Sequence, residues 1–421
     1  MDEAGGRRRL SYAWGLMFSL GITELISWGV LVYAFSVFLV PMRGELGWTD
    51  AQLSGAYALG VVVSGLAAIP VGRWLDRHGP RALMTAGSAL TILVLLGWSR
   101  VDSPVAFYGL FALAGLAMAA TLYEPAFATA ADWFSSRRRA KAVLVLTIFG
   151  GLASSVFLPL SGALVGAVGW RDALLVLAGI VAVVCLPVHG LVLRRPRERE
   201  QDAGDAPRRE GRARAEVVRS PSFRWLAASL AMLTMGRIAL SVHLVAYLVG
   251  RGYTLGQASL AAGGIGLLQV AGRAIATALG RRRDDYAVYA GIFALQGASL
   301  ALPLLTSGHD TGATVAIVVF IALYGLGFGL PELIRGVTVA EFYGTASYAS
   351  INGVLGLFVT IARAAGPAAA GVAVTLLGGY TALLVGAAVA ALAGSATLLA
   401  AARAHERETA HLAPAPVETR S

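Results

Sequence analysis

The chain has a single cysteine among 421 residues, a single lysine (Lys141), six histidines, and only 14% charged residues. With Cys185 alone, no disulfide can close within the chain. So little charge, set against 57% hydrophobic residues and a mean hydropathy of +0.69, excludes one soluble globular core. The sequence shows no phosphate-binding loop, no metal-spaced set of His, Cys, Asp or Glu, and no nucleophile elbow. These absences argue against an enzyme or an ATP-driven pump, and no cofactor is expected. Strands of alternating polarity, the mark of a membrane β-barrel, are missing too.

What is present is apolar length. A membrane-spanning helix needs about 20 apolar residues, and the sequence supplies twelve such stretches. They are expected at about 11–40, 51–71, 82–99, 104–131, 142–167, 173–193, 223–249, 258–280, 287–306, 312–336, 352–376 and 381–402. The fold class is therefore all-α integral membrane, with twelve transmembrane helices in two six-helix bundles. Residues 1–193 form the first bundle, 194–222 a basic linker, 223–402 the second bundle and 403–421 a tail. Arg7, Arg8 and Arg9 followed by an apolar run resemble a signal peptide, but the run is too long and no small-residue cleavage site follows. It is expected to remain as helix 1.

The formal charge of +10 does not mean nucleic acid, because its placement follows the membrane. With the N-terminus cytoplasmic, 26 of the 34 Lys and Arg fall in cytoplasmic segments, ten of them between Arg194 and Arg224. The external loops hold four: Arg43, Arg100, Arg171 and Arg251. The expected location is a bacterial inner membrane, with both termini cytoplasmic and the lipid bilayer as the surrounding partner.

The halves echo each other with an offset of about 209 residues. Ala131-Asp132-Trp133-Phe134 matches Ala340-Glu341-Phe342-Tyr343, Pro159 and Gly162 match Pro367 and Gly371, Gly169-Trp170 matches Gly378-Gly379, and Gly72 with Asp76 matches Gly280 with Asp284. Parallel six-helix repeats place a substrate site at the midplane between the halves. Both repeats lie in one chain, so a monomer suffices.

Between helices 2 and 3 runs Gly72-Arg73-Trp74-Leu75-Asp76-Arg77-His78-Gly79-Pro80-Arg81. It resembles the G-x-L-x-D-R-x-G-R/K loop of the major facilitator superfamily. The resemblance implies that Gly72, Arg73, Asp76, Arg77, Gly79 and Arg81 act as a conformational latch. A narrower resemblance, to bacterial monocarboxylate-transporter-like proteins of the oxalate/formate and lactate type, rests on several segments. They are Trp28-Gly29, Tyr33 to Phe38, Pro41, Glu45-Leu46-Gly47-Trp48, Tyr123-Glu124-Pro125, Trp133-Phe134 before Arg137-Arg138-Arg139-Ala140, Gly169-Trp170-Arg171, His243 to Leu248 and Gly272-Arg273. The function it implies is secondary transport of small organic anions, with proton symport. The alternative is a drug or cation efflux antiporter of the same superfamily. Such antiporters carry a Gly-Pro pair in helix 5, whereas Pro159 follows Leu158.

Seven charged residues lie within spans: Glu24, Glu124, Arg237, Arg273, Glu332, Arg335 and Arg363. An intramembrane charge costs at least about 2.5–3.5 kcal/mol and marks a functional path. The resemblance implies that helices 1, 4, 7 and 10 line the cavity and helices 2, 5, 8 and 11 form its walls; all seven residues fall on these. Arg273 has the planar fork that grips a carboxylate, and the resemblance makes it the substrate anchor. Mammalian relatives carry an aspartate one turn earlier, where this chain has Gln269, and a lysine in helix 1 that it lacks, so their proton scheme does not carry over.

Glu124 is the candidate for proton coupling, since a glutamate in low dielectric favours its neutral form; a permanent ion pair is the competing reading. Pro125 cannot donate to the carbonyl of Thr121, which adds Thr121 to the candidate site beside Tyr123. Tyr33 and His243 complete the set of substrate candidates, His243 being read as the only histidine well inside a helix. Glu332 and Arg335, three apart, are expected to pair with each other. Arg237 and Arg363 are expected either to gate by pairing with Glu24 or Glu124, or to meet a second anionic group.

Overall fold

In the computed structural model, residues 3–194, 214–279, 285–343 and 348–410 are described. Among them, eleven helical stretches are long and apolar enough to cross a membrane. One of these, Lys141–Val192, has 52 residues. At 1.5 Å per residue this is far longer than the roughly 30 Å apolar layer. It breaks at Gly169, whose φ of 79° and ψ of 166° end one helix and begin the next, so twelve crossings result.

The twelve are numbered in order. α1 runs through Glu3–Trp28, a π-helical turn Gly29–Tyr33 and Ala34–Leu46. α2 is Asp50–His78 and α3 is Pro80–Trp98. α4 has two segments, Pro104–Thr121 and Tyr123–Trp133. α5 and α6 are the two sides of Gly169 within Ser136–Ile180, and α6 continues through π-helical turns Val181–Cys185 and Val188–Val192. α7 is Pro221–Gly250, preceded by a short helix Arg214–Arg219; α8 is Leu255–Leu279. α9 joins Asp285–Ser299 to Ala301–Leu305, and α10 joins Thr311–Phe328 to Leu330–Tyr343. α11 is Tyr348–Leu377 and α12 is Thr381–Ala410, eight residues beyond the end expected from hydropathy. Most of the basic linker, 195–213, lies outside the described residues, as do Gly280 and Asp284 of the second-half echo and 411–421 of the tail.

The repeat is visible in the backbone. Gly169 and Gly378, matched by sequence, both take positive φ (79° and 68°), a conformation that glycine adopts without steric cost. α4 and α10 are both broken, at Leu122 and at Gly329. Within the first half, Gly60 and Gly115 bring α2 and α4 so close that a Cβ on either would strike the other backbone. Small residues at helix crossings are how membrane helices gain packing where lipid offers no hydrophobic drive.

Across the halves, α2 packs on α11 and α5 on α8. The α2–α11 contact runs from Gly371, against Ser54 and Asp50, to Gly65 against Thr360. The α5–α8 contact runs from Gly162, against Ser259, to Gly151 beside Gln269. Val37 of α1 is buried among Leu240, Leu244 and Leu248 of α7. Hydrogen bonds cross the same seam: Ala51 N–H to Thr375 Oγ1 (3.2 Å), Ser155 Oγ to the Gly263 carbonyl (2.9 Å) and Gln269 Nε2 to the Gly151 carbonyl (2.7 Å). Arg43 adds a bond across it to the Tyr380 hydroxyl (3.2 Å) while also bonding Asp50 of its own half (3.1 Å). These ties lie between the midplane and the end bearing Gly47, Gly169 and Gly378, which is closed. Past them, Leu66 and Ile69 of α2 and Leu357 and Ile361 of α11 are exposed, and no tie between the halves is found there among the described residues.

Closing one end through small residues gives a direct test. A leucine at Gly371 overpacks the seam at a cost of about 1–3 kcal/mol, and each 1.4 kcal/mol is about tenfold in an equilibrium. In a Val37→Cys background, where Cys185 is buried, Gly371→Leu is expected to raise thiol labelling at position 37 about tenfold. Unchanged labelling would mean the seam is not what seals this end.

Candidate functional site

The two broken helices frame the site. In α4, Leu122 is extended (φ −85°, ψ −160°), and Pro125 has no N–H for the carbonyl of Thr121, as the proline position requires. In α10, Gly329 interrupts the helix, and the Arg273 guanidinium occupies the space a side chain there would need. Arg273 Nε donates to the Gly329 carbonyl at 3.1 Å, so this arginine of α8 ties itself to the end of the first α10 segment. A cation at a helix C-terminus satisfies both the orphan carbonyl and the helix dipole.

The second α10 segment begins at Leu330, which puts Glu332 in its first turn, where a carboxylate is favoured. Glu332 gathers arginines from three helices. Arg363 of α11 is at 2.9 Å, Arg237 of α7 at 3.6 Å and Arg335 of α10 at 3.8 Å. Arg237 also lies over the Phe328 ring, 4.8 Å from its centroid. The expected local pair Glu332–Arg335 is thus the longest of three contacts. Arg237 and Arg363 pair with Glu332 and not with Glu24 or Glu124. The break before Leu330 explains this: it sets Glu332 facing α7 and α11, an orientation that three-residue spacing does not reveal.

Four guanidinium groups therefore share one carboxylate within the second half, Arg273 adding its field to that of the other three at Glu332. Arg237 Nε and Arg363 Nε are buried without a protein partner. Beside this cluster, toward the closed end, lies a narrow crevice with room for little more than one water-sized molecule. Tyr33 and Ser154 line it from the first half, and Ser241, Leu244, Ile265 and Phe328 from the second. Ser241 stands one turn beyond Arg237 on the same face of α7, and Phe328 touches both crevice and cation. Ser154 Oγ is buried and unpartnered.

Tyr33 closes the π-helical turn of α1, and such turns recur at functional sites. From the opposite half it lies in the field of Arg237, Arg273, Arg363 and Glu332. Tyr123 stacks on Phe127 and packs on Trp28, with ring centroids 5.0 Å apart in each case. Its hydroxyl reaches α5 at a point where only a glycine, Gly150, leaves room.

Other expected members stand elsewhere. Thr121 donates to the Ala117 carbonyl (2.8 Å) and turns its methyl toward Gly87 of α3, away from the crevice. His243 is fully buried, with Nε2 3.4 Å from the Pro367 carbonyl and its ring 6.3 Å from that of Tyr380, so it belongs to the closed end. Nor is it the only histidine deep in a helix: His189 of α6 is equally buried, held by Ser88 (2.7 Å) and Thr23 (3.0 Å). Glu124 is exposed, whereas Glu24 is the fully buried acid. In the α2–α3 loop Gly79 has φ +80°, and Arg81 Nε bonds to the Gly190 carbonyl at 2.8 Å, bracing α3 on α6. Glu45, Trp170 and Arg171 hold the first half's loops together, at 2.5 and 3.0 Å. Ser154, Ser241 and Phe328 were not anticipated; for the two serines the only sequence signal was a small polar residue in an apolar helix, and Phe328 had none.

Two bundles in repeat, broken lining helices and a charged midplane cluster are the architecture of a secondary transporter. The profile of the Major Facilitator Superfamily matches residues 16–367. The chain belongs to this superfamily. It is a multi-pass membrane transporter, not an enzyme. The oxalate:formate antiporter of Oxalobacter formigenes is 24% identical over 320 residues, 75% of this chain and 74% of that protein. Monocarboxylate transporter 12 of Rattus norvegicus is 25% identical over 399 residues, 86% and 78% of the two chains. The riboflavin transporter RibJ of Trypanosoma brucei brucei is 28% identical over 203 residues, only 45% of this chain and 35% of its own. Among solved structures, a bacterial homolog of the human lysosomal transporter Spinster, inward-facing and occupied, superposes with a TM-score of 0.71 at 15% identity. That match covers 96% of this chain and 99% of the homolog and shows the fold.

If Glu332 holds the arginines of this superfamily member together, its removal must be felt. Glu332→Gln should lose charge-assisted bonds worth about 1.5–3 kcal/mol in all and melt several degrees lower. A melting temperature equal to the parent's would show that the cluster does not bear on stability.

Proposed function

We propose that this transporter carries small organic anions of the monocarboxylate class, coupled to protons, by alternating access between residues 1–193 and 223–402. The observation that supports this most is the surplus of guanidinium over carboxylate in the cluster around Glu332, beside the crevice. In low dielectric such a surplus favours an anion, and a substrate carboxylate can take the donors that Glu332 leaves unused. The names of the oxalate:formate antiporter and of the monocarboxylate transporter agree with that chemistry.

In this reading Arg273 anchors the carboxylate, with Tyr33 and Tyr123 offering hydroxyls from the opposite half. Arg273 already spans from the α10 break to the α5 contact, so a ligand on it would be sensed by both halves. Arg237, Arg363, Arg335 and Glu332 form the gating network. Glu124, exposed on α4, exchanges protons with the cavity. In this reading the open end, with its basic loops, and both termini face the cytoplasm of a bacterial inner membrane, as the excess of Lys and Arg there favours. Gly72, Arg73, Asp76, Arg77, Gly79 and Arg81 form the latch that reshapes when the open end closes.

Proteoliposomes should take up lactate, and faster with an inward proton gradient. Arg273→Lys should leave a folded protein whose initial rate falls at least about tenfold, since a charge-assisted bond worth about 1.5–3 kcal/mol is lost. Uptake equal to the parent's would remove Arg273 from the site. Glu124→Gln should flatten the pH dependence of uptake, and a parental pH profile would exclude it. Lipophilic cations bound in place of carboxylates would establish the efflux reading instead.

A further inference from the structure

Glu24 has no place in the anion cluster, yet it is the most enclosed acid of the spans, with 0% exposure. One oxygen, Oε2, accepts from Trp28 Nε1 at 3.1 Å; the other, Oε1, is buried with no partner. The cations that could compensate it are in the other half, where Glu332 collects Arg237, Arg335 and Arg363.

Among the described residues, the groups around Glu24 offer no countercharge. From the second segment of α4, the Glu124 carboxylate acts on it as a like charge, and Tyr123 packs on the same Trp28. From α6, the Cys185 thiol faces Ser27. His189 is occupied on both ring nitrogens, by the hydroxyls of Ser88 and Thr23. Thr23 in turn donates to the Leu20 carbonyl (3.0 Å), so its oxygen accepts from His189 Nε2. From α5, the surface met by α1 is the aromatic rings of Phe149 and Phe157. An ionised carboxylate with a single donor in such surroundings is strongly disfavoured against its neutral acid. Two neighbouring carboxylates, moreover, give up their protons in turn and not together.

We propose that Glu24 is the proton-binding site of the first half, holding its proton on Oε1 in this conformation and exchanging it through Glu124. This rests on the proton-coupled reading above and deepens it. Glu124 is exposed and has no ion pair among the described residues, so in this proposal it passes a proton between solvent and Glu24. A proton leaving Oε1 goes to the Glu124 carboxylate, and Glu24 is left ionised. The coupling follows from charge. With all three glutamates ionised, the spans carry four positive and three negative groups, and a proton on Glu24 raises the surplus that attracts an anion. The Trp28 bond remains on Oε2 in either state.

The test has two independent readouts. In infrared difference spectra of the purified full-length protein at neutral pH, the C=O stretch of a protonated carboxylic acid should be present in the parent and lost in Glu24→Gln. A parent without the band, or a Glu24→Gln protein that keeps it, would overturn the proposal whether or not lactate is transported. Should Glu24→Gln fail to fold, Trp28→Phe removes the only hydrogen bond to the acid and should shift the band; an unmoved band overturns the assignment. In lactate-loaded proteoliposomes, Glu24→Gln should retain exchange of labelled for unlabelled lactate within about twofold while losing accumulation driven by a proton gradient. Accumulation equal to the parent's, or loss of exchange together with accumulation, would show that Glu24 does not carry the coupled proton. A parent that neither exchanges nor accumulates lactate would count against the anion reading, and the infrared band would still decide Glu24.

Discussion

A guanidinium does not shed its proton inside a membrane, so it must be given an anion or be driven out to water. Glu332 supplies that anion for Arg363, Arg237 and Arg335, and much else follows from it. The carboxylate is placed by the break in α10, because restarting the helix at Leu330 puts Glu332 in a first turn. The break in turn leaves the Gly329 carbonyl for Arg273. One interruption of a helix thereby brings four cations from four helices to one carboxylate and one carbonyl.

The halves are held to different standards. Inside the second half the ties are charged and partly buried. Between the halves they are glycine contacts and a few single hydrogen bonds, such as Ser155 to Gly263 and Gln269 to Gly151. A net hydrogen bond is worth about 0.5–1.5 kcal/mol, so each of these ties across the seam is individually weak. The charge is divided along the same line. Every intramembrane arginine lies in the second half, and the first half holds only Glu24 and Glu124. In the proposed function, the groups that would attract the anion and the one that would store the proton lie in opposite halves.

Hydropathy and punctuation made the architecture legible. Twelve spans, the parallel repeat, the turn at Gly169 and the interruption near Pro125 could all be read from the residues, because each depends on local chemistry. The site was legible only in its composition. Which arginine meets which glutamate depends on how each helix is rotated about its axis, and a break like that at Gly329 resets the rotation. That is why Arg363, far from Glu332 in sequence, is nearer to it than Arg335 is. It is also why the enclosed acid proved to be Glu24 and not Glu124, and why Thr121 and His243 turned away from the crevice. His189 was overlooked because its partners, Ser88 and Thr23, lie on other helices.

The central claim is that the surplus of positive charge beside the crevice exists to hold an organic anion. A ligand that binds only the folded state raises the melting temperature in proportion to its occupancy. The most direct measurement is therefore a thermal-shift titration of the purified protein with a series of small carboxylates and, in parallel, lipophilic cations. The account predicts a saturable rise in melting temperature with at least one carboxylate and none with the cations. Stabilisation by the cations alone would contradict it.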